Sequence, residues 1–210
     1  MADDQATQHV ILLHGLASSS ILFYPMTKRL REQGFQTRTW GYFSFRGSIE
    51  KHAARFVRFL NQYPCGPNDT IHLVGHSMGS IIIRRALLNS DVPANIGRFV
   101  MIGPPNQGSH VATRFAKYLG WLCPALNELS DRDGSYVRVL GEPERCEVGI
   151  VQAERDLVVR DEYAKLDAAT DSVCLPGLHT TVLFGKDAAE NVGAYLQTGA
   201  FIATDERAAT

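Results

Sequence analysis

No apolar run in this 210-residue chain approaches the roughly 18–20 residues that a membrane-spanning helix needs. The expectation is a protein without stable membrane insertion. Cysteine is scarce and dispersed: Cys65, Cys123, Cys146 and Cys174 form no Cys-x-x-Cys pair, so a metal site has no support. Neither sign of charge dominates. The formal net charge is −1, and the lysines and arginines are scattered apart from pairs such as Arg84-Arg85, which argues against nucleic acid as a partner. Met1 to Gln8 is polar, carries two aspartates, and lacks the basic start and apolar stretch of a secretory signal. A cytoplasmic address with reduced thiols is expected.

What the chain does have is a core. Hydrophobic residues make up 45% and charged residues 20%, and a chain of this length buries enough surface to need no disulfide or metal staple. Six short segments read as buried strands: His9 to Leu13, Phe35 to Trp40, Thr70 to Val74, Arg98 to Ile102, Glu147 to Val151 and Ser172 to Leu175. Between them lie helical patterns over 20–33, 48–63, 77–88 and 109–129, the last broken at Pro124, and a final one over 186–196. Gly34 ends the first helix as a C-terminal cap would, and Pro64, Gly66 and Pro67 end the second. Strands alternating with helices of this length predict βαβ units, a mostly parallel sheet and a three-layer α/β domain spanning 1–210. Loops at the carboxyl ends of such strands form the active site.

One such end carries Gly75-His76-Ser77-Met78-Gly79, between an apolar strand and an apolar helix. A serine on so sharp a strand-to-helix turn is thrust above the sheet, and flanking glycines let strand and helix approach. At the helix start, backbone N–H groups and the positive end of the dipole face developing negative charge. An ordinary serine N-cap would share the pattern. The helical context, with Ile81, Ile82, Ile83, Leu87 and Leu88 behind the serine, favours the first reading.

Together with His14-Gly15-Leu16 after the first strand, the loop Gly103-Pro104-Pro105-Asn106-Gln107-Gly108-Ser109, and a late aspartate and histidine, this turn makes the chain resemble the α/β-hydrolase superfamily. Within it, the chain is similar to small bacterial esterase and lipase-like members. The resemblance covers nearly the whole chain and implies a minimal α/β-hydrolase fold. That fold is a mostly parallel six-stranded sheet with helices on both faces, a small cap region, and a possible partial lid over 109–130.

The resemblance implies a Ser77–His179–Asp156 triad in the order serine, acid, histidine. Only His110 and His179 follow Ser77, and His179 lies in the loop after the last strand, where this fold places its base. Asp156, in Glu154-Arg155-Asp156-Leu157-Val158-Val159, resembles the family's Asp-x-x-Val segment, with Glu154 and Asp161 as alternatives. The implied oxyanion donors are the backbone N–H groups of Met78 and Leu16. His14, Phe43, Trp121 and Leu122 are candidate pocket residues, with Phe45 beside them. Phe115, Tyr118, Leu119, Trp121 and Leu122 give 109–129 an apolar stripe, read either as a helix packing on the sheet or as that lid. The implied activity is hydrolysis of small-molecule carboxylic esters of short to medium acyl length, without cofactor or metal. A thioesterase or acyltransferase would share the triad, and a non-catalytic binding protein would share the fold.

Overall fold

The computed structural model describes residues 6–202. Six strands form one sheet in the order β2-β1-β3-β4-β5-β6, and every neighbouring pair is parallel. They are β1 (Gln8–Leu13), β2 (Gln36–Trp40), β3 (Thr70–His76), β4 (Ile96–Ile102), β5 (Val148–Ala153) and β6 (Ala169–Leu175). The sheet is thus wholly parallel where the sequence predicts mostly parallel.

The apolar runs follow from burial on both faces. In β1, Ile11 and Leu13 turn to one side and join the cluster that α2 (Ile49–Gln62) and α3 (Met78–Leu87) cover. Val10 and Leu12 turn to the other, against α1 (Tyr24–Glu32) and α8 (Lys186–Thr198). In α3, Ile81, Ile82 and Ile83 are all fully buried, each worth roughly 1.5–3 kcal/mol of transfer free energy. That burial anchors the helix that starts at Ser77.

The helix ends follow local chemistry. Ser48 caps α2 by accepting the Lys51 N–H at 3.2 Å, and Ser109 caps α4 (His110–Leu119) by accepting the Ala112 N–H at 3.3 Å. The helical pattern over 20–33 divides into a 3-10 turn, Ser20–Phe23, and α1. Pro25, with no N–H to contribute, stands in the first turn of α1. The pattern over 109–129 divides at Pro124 into α4 and α5 (Pro124–Glu128), while two short helices have no clear sequence signature, α6 (Tyr136–Val139) and α7 (Asp161–Ala164). α4 and α5 fill the cap region before β5. Among the described residues, no helix is long and apolar enough to cross a membrane.

Candidate active site

Because all six strands run the same way, the loops after β1, β3, β4, β5 and β6 gather at one edge of the sheet. Ser77 sits at the tip of β3, in the middle of that edge. Its backbone has φ 53° and ψ −124°, a conformation that costs a residue with a side chain about 1–3 kcal/mol. The turn is held on both sides: Ser77 N–H donates to the Ile102 carbonyl and Ser80 N–H to the Ser77 carbonyl, each at 2.9 Å.

The flanking glycines are required by contact. A methyl group on Gly75 would stand 2.5 Å from the Ser80 Cα, and one on Gly79 would stand 2.4 Å from the Leu13 carbonyl oxygen. The first helical turn therefore rests directly on the end of β1. The His14–Leu16 loop rests there too, since a methyl on Gly15 would lie 2.9 Å from the Ser77 Cβ. Met78 opens α3, where the first four N–H groups have no intrahelical partner. Its side chain is wholly buried in the core, so what it turns to the site is backbone.

His179 stands in the loop after β6, and its Nδ1 lies 2.6 Å from Asp156 Oδ2. The other oxygen, Oδ1, accepts the N–H groups of Val158 and Val159 at 2.8 Å each. Only 4% of the aspartate side chain is exposed. Burial pushes its pKa up, but the His179 hydrogen bond and charge, with the two backbone donors, outweigh that and hold the carboxyl below its ordinary range. Of the three carboxylates weighed as the acid, Asp156 is the one bonded to His179; Glu154 and Asp161 are exposed. His110 heads α4 with its Nδ1 buried, and among the described residues it has no partner there and no carboxylate is bonded to it.

Gly103 ties these groups to the end of β4: a methyl there would lie 3.1 Å from the His179 ring and 3.3 Å from Asp156 Oδ2. His76, next to Ser77, places its ring 4.9 Å from that of His179 and donates from Nε2 to the His179 carbonyl at 2.9 Å. Ser77, His179 and Asp156 therefore share one corner of the sheet edge.

Behind the β1 loop, His14 is buried and stacked on Tyr42 at 4.4 Å, and its Nδ1 lies 2.9 Å from the Gly15 carbonyl. Tyr42 Oη donates to the His14 carbonyl at 2.7 Å, and the Ala17 N–H donates to Ser44 Oγ at 3.1 Å. Ala17 is the second non-glycine residue at positive φ, 53°. Tyr42, Ser44 and Ala17 carry no sequence signal for this role, because their contacts join loops far apart in the chain. The same holds for Arg84, a buried guanidinium bonded to Asn106 Oδ1 at 3.1 Å and to the carbonyls of Gly141 and Leu140. It fastens the Pro-Asn-Gln-Gly loop to the return of the cap region.

Phe43 is 61% exposed, Trp121 83% and Leu122 52%. Cys123 Sγ stands 4.0 Å from the Ser44 carbonyl, so the turn after α4 lies against the loop that carries Phe43 and Phe45. α4 does not lay its apolar stripe on the sheet: it buries Ala112 and leaves Phe115, Tyr118 and Leu119 exposed. Among the described residues, no group of three or more His, Cys, Asp or Glu side chains converges as a metal site would require.

Solved structures of similar shape include a mature Bacillus licheniformis lipase, 18% identical with a TM-score of 0.70, the match covering 87% of this chain and 89% of that one. A metagenomic carboxyl esterase is 20% identical with a TM-score of 0.67, over 84% of this chain and 65% of its own. A monoacylglycerol lipase of Paleococcus ferrophilus is 17% identical with a TM-score of 0.62, over 91% and 95%. At these identities the likeness is one of fold. Comparison with curated proteins gives no match. The family model described as alpha/beta hydrolase fold matches residues 8–128, more than half the chain and the segment holding β1, the Ser77 turn and α4. The chain belongs to the α/β-hydrolase fold family.

Proposed function

We propose that this hydrolase cleaves carboxylic esters through an acyl-serine intermediate, with Ser77 as nucleophile, His179 as base and Asp156 as the acid that orients it. The observation that carries the reading is the 2.6 Å Asp156–His179 bond at the same sheet corner as a serine in a strained, positive-φ turn. An ionised Asp156 accepts the hydrogen bond of Nδ1–H, which fixes the tautomer that leaves the lone pair on Nε2. Nε2 accepts the Ser77 hydroxyl proton as Oγ attacks the ester carbonyl, and Asp156 stabilises the imidazolium that results. The backbone N–H groups of Met78 and Leu16 donate to the tetrahedral oxyanion, typically about 3–4 kcal/mol per donor. The imidazolium then protonates the departing alcohol, and water, activated by the same nitrogen, frees the acid.

Phe43, Trp121 and Leu122, with the backing of His14 on Tyr42, form the rim that receives the acyl group. These side chains stand out into solvent, so the rim encloses a short apolar length. Short to medium acyl esters are the expected substrates. The structurally similar proteins described as lipases and a carboxyl esterase agree with ester hydrolysis as the reaction class.

The test is a panel of p-nitrophenyl esters and acyl-CoA thioesters of graded length, run beside a fluorophosphonate probe read by peptide mass spectrometry. Labelling is expected at Ser77 alone, and Ser77→Ala should lose turnover by on the order of 10⁶. A Ser77→Ala protein that keeps more than a few per cent of activity overturns the reading. Faster turnover of thioesters than of oxygen esters would move the activity to a thioesterase.

A further inference from the structure

We propose that His76 is a positioning residue for the base: its imidazole, fixed to the Ser77 turn, holds the main chain of His179 so that nucleophile and base are set from one rigid strand end. This rests on the assignment of Ser77 and His179 proposed above.

Three observations carry it. The first is the bond itself, Nε2 of His76 to the carbonyl oxygen of His179 at 2.9 Å, across 103 positions of sequence. Among the described residues, no other hydrogen bond to that carbonyl is found. The neighbouring peptides of the loop are held by other groups: Arg155 N–H on the Gly177 carbonyl, Leu178 N–H on Thr181 Oγ1, and Val182 N–H on the Leu178 carbonyl. His179 is then tied at two points. Asp156 holds its ring at Nδ1, and His76 holds its backbone. With both ends fixed, the place of Nε2 is fixed.

The second observation is that space-filling does not account for an imidazole here. The side chain is buried, and its Nδ1 has no partner among the described residues. A buried nitrogen left unpaired is costly, and a leucine or phenylalanine would fill a similar volume without that cost. The bond from Nε2 is what an apolar residue could not make.

The third is the state of the ring. Burial, followed by the neighbouring His179, pushes the pKa of His76 down to about 3. The ring carries a single proton at working pH, and a carbonyl partner requires that proton on Nε2. An uncharged donor holds His179 without opposing the positive charge that forms there when Ser77 is deprotonated.

A shift of about 1 Å in a reacting group costs on the order of 10²-fold in rate. The experiment compares His76→Phe and His76→Leu, which lose the donor, with His76→Gln, whose amide keeps a donor at similar reach. Steady-state kinetics on a short ester are read beside the far-downfield proton resonance of His179 Nδ1–H, identified by its loss in His179→Ala. Circular dichroism checks that each variant is folded. His76→Phe and His76→Leu should lower kcat about 10–100-fold with KM changed less than about threefold, and should broaden or abolish the downfield signal. His76→Gln should recover most of kcat and keep the signal.

Wild-type kcat in a folded donor-less variant overturns the inference. So does a His76→Gln protein that falls as far as the other two, or a signal that survives in all three. An active Ser77→Ala protein would instead overturn the assignment beneath it. Should no ester be turned over, the resonance still reads whether His76 holds His179.

Discussion

Asparagine at position 156 keeps the shape of the aspartate and reverses one hydrogen bond. In the native site Oδ1 accepts from the Val158 and Val159 N–H groups, and Oδ2 accepts from His179. An asparagine oxygen can keep the first two bonds. Its Nδ2 then faces Nδ1–H, donor against donor. The imidazole escapes by moving its proton to Nε2, the atom that accepts from Ser77 in the proposed mechanism. A tautomer error of this kind costs about 10⁴ in kcat, which is about 5.4 kcal/mol at about 1.36 kcal/mol per decade.

Folding should change far less, by about 1.5–3 kcal/mol, the range for one hydrogen bond to a charged group. The pH dependence has a definite sign. The folded carboxyl titrates below its ordinary range, so it contributes stability that is fully present above the unfolded value, about 3.9. That contribution is lost as pH falls through the folded value. Urea unfolding of the wild type should therefore weaken more steeply below about pH 4 than that of Asp156→Asn. The assays are kcat on a short p-nitrophenyl ester and urea midpoints at several pH values. The reasoning fails if Asp156→Asn keeps more than a tenth of wild-type kcat, or if Glu154→Gln or Asp161→Asn loses more.

His179→Ala should lose at least 10³-fold in kcat/KM while His110→Ala keeps most of it, because His179 is bonded to the buried Asp156 and, among the described residues, His110 is bonded to no carboxylate; the reverse ranking in ester assays would move the base to α4. Gly79→Ala should lower the unfolding free energy by about 1–3 kcal/mol, read as a lower urea midpoint at constant m value, since its new methyl meets the rigid Leu13 carbonyl rather than a flexible side chain. An unchanged midpoint would mean that α3 can lift off β1. Across C2 to C16 esters, kcat/KM should level off after the medium lengths. Each enclosed methylene contributes about 0.8 kcal/mol, and the exposed rim at Phe43 and Trp121 encloses few. A steady rise to C16, or a jump above the critical concentration of the substrate, would show a deep groove closed by a lid.

The central strands were legible because a doubly covered strand is apolar at consecutive positions, as at Val10-Ile-Leu-Leu13. The pattern failed where cover is one-sided. β6 begins at Ala169, three residues before the segment read from sequence, because it is an edge strand whose Thr170 and Ser172 face solvent. The Ser77 turn was legible for a related reason: its glycines answer contacts within a few residues of chain or with the adjacent strand. The groups that hold the site from outside were not. The Tyr42–His14, Ser44–Ala17 and His76–His179 bonds span 28, 27 and 103 positions, and nothing local in the sequence marks them.

The helix α4 shows where periodicity stops being informative. Phe115, Tyr118, Leu119 and Leu122 recur at the spacing of a single helical face, and that spacing ordinarily marks the face turned to a core. Here the small residue Ala112 points inward, and the large ones remain in water. A period fixes the direction of an apolar face and carries no information on what covers it. Leaving such side chains uncovered forgoes roughly 25 cal/mol for each square ångström of apolar surface, and the chain forgoes it beside the loop that carries Phe43, which Ser44 ties to the β1 loop at Ala17. The surface left unburied on folding is then the surface on which an acyl group gains by being buried, and this is why Trp121 and Leu122 belong to the proposed rim rather than to the core.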